Sequence, residues 1–352
     1  MPAGFIAVHT GCGNAVDQRK YKNVSNRACE RAIAVLLRDG GDGTTMEACE
    51  AAIRELEDSG ETNAGFGSNL TWEGRVECEA SIMDGASRLF GACTNVSRVK
   101  NPISLARVVC EKQNRLLKLG RIPPMVVSGQ GAEAFAAETN IEMVENEEQM
   151  ISKKALKCYR LHKETIQKYE SINDIKISSL DTVGAVCVDA AGNITAGCSS
   201  GGLILKVSGR IGQAATYGAG CWASMNPNSS IATCTTGNGE YLMKTLLAKE
   251  IVSDLTASQC PITTINTTFQ TKFLKSPFLS DLDEVYGGAL TIDYDHETRR
   301  GDLLWAHTTK YMCLGYMSTG KRKPKFLMSE MPDIEKAGKV TIVSGHQFKL
   351  PQ

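Results

Sequence analysis

The sequence predicts an α+β domain in which helices cover both outer faces of packed sheets. Three observations carry this. Short apolar runs bounded by glycine-rich turns recur along the chain, segments with apolar residues at helical spacing stand between them, and strand-rich and helix-rich blocks alternate in both halves without a sequence repeat.

At 352 residues the chain suffices for one large domain or two ordinary ones, and 42% hydrophobic with 22% charged residues is the balance of a globular protein. Lys plus Arg and Asp plus Glu number 39 each. No global field therefore draws the molecule to nucleic acid or an anionic membrane, although a local patch remains open. Residues 1–10 lack the basic stretch, apolar run and small-residue site of a secretory leader, and no window approaches the roughly 18 apolar residues of a membrane span, so an intracellular location is expected. The thirteen cysteines are scattered singly without a C-x-x-C pair, and read as reduced, buried, small apolar residues. No ligand cluster or phosphate-binding motif is present, so neither a metal nor an organic cofactor is expected.

Taken in order, residues 4–10 form a buried strand that runs into the tight turn His9-Thr10-Gly11-Cys12-Gly13. Residues 25–37 and 44–56 form an antiparallel helix pair broken by Asp39-Gly40-Gly41-Asp42-Gly43. Strands follow at 76–83 and 89–96, and Asn101-Pro102 opens a helix to about Lys112. From 141 to 178 the chain becomes rich in Glu, Lys and Gln and reads as a long, mobile insertion with a helix-like stretch at 153–169. A hairpin begins abruptly at 180–189, turns at Ala190-Ala191-Gly192-Asn193 and returns over 194–198. A strand at 231–235, a helix at 239–253 and strands at 287–292 and 303–308 complete the prediction.

Chemistry concentrates where the insertion meets the hairpin, at Asp181-Thr182. A hydroxyl is a poor nucleophile near neutral pH without a base beside it. A threonine at a chain terminus carries its own, because its α-amine has a reference pKa of about 7.7 to 8.0. A self-cut between Asp181 and Thr182 would expose that amine. Three hydroxyl-and-glycine clusters lie downstream: Ser199-Ser200-Gly201-Gly202, Gly209-Arg210-Ile211-Gly212-Gln213 and Thr235-Thr236-Gly237-Asn238-Gly239-Glu240. Glycines let backbone N–H groups approach a reacting carbonyl, and hydroxyls supply positioned donors.

These clusters, with Asp181-Thr182-Val183-Gly184-Ala185-Val186, resemble the plant-type asparaginases, the threonine-dependent branch of the N-terminal-nucleophile (Ntn) hydrolases. The likeness extends through the turn at 9–13, Asn63-Ala64-Gly65-Phe66-Gly67-Ser68 and Glu79-Ala80-Ser81-Ile82-Met83-Asp84-Gly85. It implies a four-layer αββα sandwich, a single domain 1–352 cut into an α subunit (1–181) and a β subunit (182–352), and pairing of the cut αβ heterodimers into (αβ)2. It also implies roles: Thr182 as nucleophile, Ser200 as the hydroxyl that tunes it, Thr236 and Gly237 as oxyanion hole, Asn63 as an orienting group. Arg210 would bind an acidic side chain through a bidentate contact, a task lysine performs less well.

Small-substrate members of this family usually carry Asp in the place of Gln213, where a carboxylate pairs with a free α-amine. Leu203-Ile204-Leu205-Lys206, Gly218-Ala219-Gly220-Cys221-Trp222, Arg121-Ile122-Pro123-Pro124 and Lys275-Ser276-Pro277-Phe278-Leu279 look like the threonine aspartase (taspase) branch. That closer likeness implies an endopeptidase cutting nuclear regulators of transcription after Asp, in a context such as Gln, apolar residue, Asp, Gly, and so a location in nucleus or cytoplasm. It places Arg210, Gln213, Gly13 and Arg19 at the substrate, Arg19 or Lys20 giving a second positive contact. The basic stretch Lys153-Lys154-Ala155-Leu156-Lys157 is too short and interrupted to secure nuclear entry. Two alternatives stand: an isoaspartyl peptidase/L-asparaginase on small substrates, and a non-catalytic binding protein using 141–178 as a recognition arm.

Overall fold

The structure, a computed structural model, describes residues 3–13, 18–38, 43–168 and 181–351. The first half of the chain supplies β1 (Gly4–Gly13), α1 (Gln18–Leu36), α2 (Thr45–Asp58), β2 (Cys78–Asp84), β3 (Phe90–Val96), α3 (Pro102–Lys112), β4 (Val126–Ser128), α4 (Gly129–Glu138) and α5 (Lys153–Lys168). The second half supplies β5 (Val183–Asp189), β6 (Ile194–Ser200), β7 (Cys221–Met225), β8 (Ser229–Gly237), α6 (Gly239–Thr245), α7 (Leu247–Thr256), α8 (Pro261–Thr268), β9 (Gly287–Asp295), β10 (Arg300–His307), β11 (Tyr311–Ser318), β12 (Lys325–Glu330) and β13 (Ile342–Lys349).

The strands form two sheets, one ordered β12-β11-β1-β5-β6-β2-β3-β4 and the other β13-β10-β9-β8-β7. Pairing is antiparallel except between β3 and β4. Alternation along β1 shows how the layers form. Ile6 and Val8 point to a core shared with Val24 and Ala28 of α1 and Ile53 of α2, whereas Phe5 and Ala7 point to the core between the sheets, with Ala232, Ile292 and Leu303. A third core joins α7 and α8 to the outer face of the second sheet through Leu247, Ile251, Ile265 and Leu304. The result is the four-layer αββα sandwich. Both faces of β1, β5 and β6 are covered, so these strands read as continuous buried runs.

All thirteen cysteines are free, and eleven of them are buried, several in the cores as small apolar side chains. Residue size also sets how closely the layers approach. A Cβ placed on Gly91 of β3 would lie 2.2 Å from the Ala106 carbonyl of α3, so only glycine admits that helix.

Several elements differ from the sequence reading. α1 starts at Gln18 rather than 25, and the helix expected over 239–253 is two helices, broken at Leu246 by a left-handed backbone (φ 47°). The expected mobile insertion is, over 141–168, packed against the outer helical layer. Ile141, Met143, Val144, Ile151, Leu156 and Tyr159 rest on its core, Met143 bridges to Val99, and Met150 is buried. α5 is clamped at Trp72, whose carbonyl accepts from the Tyr159 hydroxyl at 3.1 Å and from Lys163 Nζ at 3.0 Å, with that ammonium 5.3 Å from the indole. Residues 141–151 dock through irregularly spaced apolar side chains, whereas in α5 Ala155, Leu156 and Tyr159 share one helical face within the stretch that reads as helix-like. Residues 169–178 of the insertion and 39–42 of the glycine breaker lie outside the described residues.

Candidate active site

Thr182 immediately precedes β5 and is buried, with its hydroxyl between two side chains brought from later in the chain. Thr182 Oγ1 donates to Ser200 Oγ at 3.2 Å and accepts from Gln213 Nε2 at 2.6 Å. The β5–β6 hairpin fixes the first contact, because Val183 pairs with Ser199 and Ser200 ends β6 beside the chain at 182. Ser200 Oγ in turn accepts the Gly202 N–H at 3.0 Å. Asn63 braces the same loop: its Nδ2 donates to the Gly202 carbonyl at 2.8 Å while its Oδ1 accepts from the Asn69 N–H at 2.8 Å.

The turn expected at 9–13 is instead the continuation of strand β1, whose pairing with β11 shifts register between His9 and Cys12, and this irregular stretch holds the residue before Thr182. Gly11 has φ +114°, and a Cβ there would lie 2.6 Å from Asp181 Cα; from Gly13 the corresponding distance to Asp181 Oδ1 is 3.6 Å. In this stretch His9 is fully buried, and neither ring nitrogen has a hydrogen-bond partner of good geometry. Burial pushes its pKa down to about 3, with the Thr182 backbone a weaker opposing influence, so His9 is neutral at working pH. Gly184 lets it fit, since a Cβ there would lie 2.4 Å from His9 Nε2. Cys12, beside Thr236 and Thr309, is pushed up to about 12 by burial and stays a thiol. Thr236 is fully buried near the end of β8, and Gly237, the last residue of that strand, at φ +133°, lines the cleft.

Arg210 stands on the opposite wall. Its Nε and Nη2 donate to the two carboxylate oxygens of Glu240 at 2.8 and 2.7 Å, a bidentate pair that holds Glu240 below its usual carboxylate range. Three glycines make room for the guanidinium: a Cβ on Gly202, Gly212 or Gly239 would come within 3.1, 2.7 or 2.6 Å of its nitrogens. Behind it, the buried Glu79 accepts the Gly212 N–H at 2.7 Å and faces the buried Lys206. Burial raises the Glu79 carboxyl and lowers the Lys206 ammonium, each opposed by the other's charge.

The cleft is thus lined by Asn63, Asp181, Thr182, Ser200, Gly202, Leu203, Arg210, Gln213, Gly237 and Gly239, and encloses only about 10 Å³. Clefts of about 900 and 790 Å³ lie elsewhere on the surface, away from these groups. A cleft this small is closed around its own Asp181.

Of the residues picked from sequence, Asn63, Asp181, Thr182, Ser200, Arg210, Gln213 and Gly237 line one cleft, with Gly13 beside the Asp181 carboxylate. Arg19 does not line it: it is exposed in the first turn of α1, where a long side chain stays solvated. Lys20 instead pairs with Glu61 at 3.1 Å. Glu240 and Glu79 stood in the sequence only as the last and first residues of the motifs at 235–240 and 79–85, with no role assigned to either.

Residues 3–326 match the asparaginase family. The human isoaspartyl peptidase/L-asparaginase is 36% identical over 248 residues, covering 70% of this chain and 74% of the relative. The Xenopus laevis protein of the same name is 34% identical over 259 residues (73% and 77%). A probable isoaspartyl peptidase/L-asparaginase 2 of Arabidopsis thaliana is 35% identical over 277 residues (71% and 80%). With the two-sheet sandwich and the cleft at Thr182, these matches mean that the chain belongs to the asparaginase family, whose members are Ntn hydrolases.

Proposed function

We propose that this hydrolase is a threonine endopeptidase that cuts itself between Asp181 and Thr182 and then cuts protein substrates after Asp. In the first cut, Thr182 Oγ attacks the Asp181 carbonyl, its proton relayed through the Ser200 hydroxyl to the Thr182 nitrogen as the Asp181–Thr182 C–N bond breaks, and the acyl group passes from nitrogen to oxygen. Water then releases the Asp181 carboxylate from the ester and leaves Thr182 with a free α-amine. That amine takes the hydroxyl proton in later turnovers, while Thr236 and Gly237 stabilise the oxyanion. A substrate Asp would occupy the place that Asp181 vacates, over Gly11 and Gly13 and in the cleft of Arg210.

The observation that carries the reading is Gln213. Its amide sits 2.6 Å from Thr182 Oγ1, and among the described residues Asp181, the residue before the proposed cut, is the one carboxylate that lines the cleft, the nearby Glu240 being already held in a bidentate pair by Arg210. A substrate amino acid with a free ammonium group would find no anion there, whereas an Asp inside a polypeptide, whose nitrogen is an uncharged amide, needs none. The second reading, an isoaspartyl peptidase/L-asparaginase on small substrates, is favoured by the names of the relatives at about 36% identity. Ammonia release from asparagine, measured beside cleavage of a peptide containing Gln, an apolar residue, Asp and Gly, separates the two. Peptide cleavage after Asp with slow asparagine turnover supports the endopeptidase; rapid asparagine turnover with an intact peptide overturns it.

After the cut, the two pieces would stay together, because β1 of the first is hydrogen-bonded between β11 and β5 of the second. Pairing of such αβ units into (αβ)2 and action in nucleus or cytoplasm on nuclear regulators of transcription belong to the same proposal. Among the described residues no helix is long and apolar enough to cross a membrane.

A further inference from the structure

Outside the active-site cleft the strongest feature is local charge, hidden in a chain whose total balances at 39 cations and 39 anions. β11 and β12 are joined by a turn, and across it runs Lys321-Arg322-Lys323-Pro324-Lys325, all four cations exposed. A cleft of about 340 Å³ opens beside them, with Lys321, Lys323, Lys325 and Lys349 on its rim. Its floor is aromatic. Phe5 stacks on Phe348 at 3.8 Å and on Tyr316 at 5.9 Å, and Tyr316 faces His346 at 5.0 Å. Lys349 also lines the neighbouring 790 Å³ cleft, with Arg299, Arg300 and Glu297.

Two further facts make this a strip rather than scattered surface charge. Arg300 and Lys349 stand directly opposite each other on β10 and β13, and like charges so placed destabilise a sheet. Among the described residues none of Lys321, Arg322, Lys323, Lys325, Lys349 and Arg300 is ion-paired with a carboxylate, and Glu297 is the one carboxylate lining either cleft. Burial and then the Lys325 charge hold the His346 pKa below its ordinary value, and its ring lies as a flat surface beside Tyr316.

We propose that this strip binds single-stranded nucleic acid, with Lys321, Lys323, Lys325 and Lys349 on backbone phosphates and a base against Tyr316 and His346. Lysines serve as point charges for phosphate, and aromatic faces stack bases of any sequence. An acidic polypeptide would use the cations but has no need of the rings. A strip continuing past one cleft into the next suits a strand better than a single nucleotide, which offers the same phosphate and base in shorter form.

The test is fluorescence anisotropy of the full chain with a fluorescein-labelled oligothymidylate, with ATP and poly-glutamate as competitors. With the four lysines engaged, binding weakens roughly fiftyfold for a fourfold rise in salt. The double variant Lys323→Glu/Lys349→Glu weakens it at least tenfold while self-processing is unchanged, and Tyr316→Leu, checked for an unaltered melting temperature, weakens the oligothymidylate but not poly-glutamate. Competition by ATP at equal phosphate concentration identifies the free nucleotide as the source of the recognised group; failure of ATP to compete identifies the strand. No binding at low salt overturns the proposal. So does equal competition by poly-glutamate with no effect of Tyr316→Leu, which would make the strip a surface for acidic proteins.

Discussion

Among the described residues the Thr182 hydroxyl is hydrogen-bonded to Ser200 and Gln213, neither of them charged, and the neighbouring His9 is neutral. This is the arrangement a nucleophile needs if its own amine is to serve as base after a cut. Thr182→Ala is expected to keep the fold and abolish both self-cleavage and peptide cleavage, read by gel and by the peptide assay. Gly11→Ala tests the seating of the preceding residue. The new methyl would fall on Asp181 Cα, and φ +114° is itself strained for alanine, so self-cleavage should slow at least a hundredfold in a chain that remains folded by circular dichroism.

A third residue outside the cleft governs stability. Glu57 is fully buried, accepts from Ser199 Oγ at 2.7 Å and from the Ile103 N–H at 3.1 Å, and is pushed by burial up to about 8. Between its ordinary 4.5 and about 8 the folded chain holds a proton that the unfolded chain has lost, so stability falls as pH rises through that window. His9 acts in the other direction, destabilising as pH falls from 6.5 towards 3. From 6.5 to 8, therefore, Glu57 alone of the two acts. Melting temperatures of the wild type should decline across that interval, and Glu57→Gln should remove the decline; an unchanged slope in the variant would show that Glu57 ionises normally in the fold. Residue roles were legible where spacing is local, as in the glycines of 9–13 and the hydroxyls of 199–200. The Gln213 contact with Thr182 bridges 31 residues and the Glu79 contact with Gly212 bridges 133, so neither leaves a local pattern.

Elements were legible in proportion to their periodicity. α2 was legible from apolar residues at helical spacing over 44–56, and the structure adds a reciprocal capping box, with Glu47 N donating to Thr44 Oγ1 at 3.1 Å and Thr44 N to Glu47 Oε2 at 3.1 Å. β13 went unread because it is an edge strand with most residues exposed or half-buried and Phe348 its buried one. β7 is five residues long and equally short of signal. The break between α6 and α7 was invisible because leucine at 246 is an ordinary helix former. Held at φ 47° and partly exposed, Leu246 carries strain that glycine would relieve. Leu246→Gly should raise unfolding stability by about 0.5 to 1 kcal/mol in a urea titration, and a loss of that size would mean that the side chain's packing outweighs the backbone strain.

At the scale of the whole molecule, the segments before and after residue 181 are not separate bodies. β1 and β2 of the first interleave with β5, β6 and β11 of the second in one sheet, and the core between the sheets draws residues from both. The sandwich was predictable because each buried strand or helix had to cover an apolar face. The docking of 141–168 was not, since it rests on a few side chains and a clamp at Trp72. Interleaving would also hold the two pieces of the proposed cut together. The most direct test of that cut is intact-mass analysis of freshly purified protein with N-terminal sequencing of each fragment. Two co-purifying pieces, the smaller beginning Thr182-Val183-Gly184, are expected; a single chain of 38.0 kDa that stays uncut on incubation would contradict Thr182 as a self-generated terminal nucleophile.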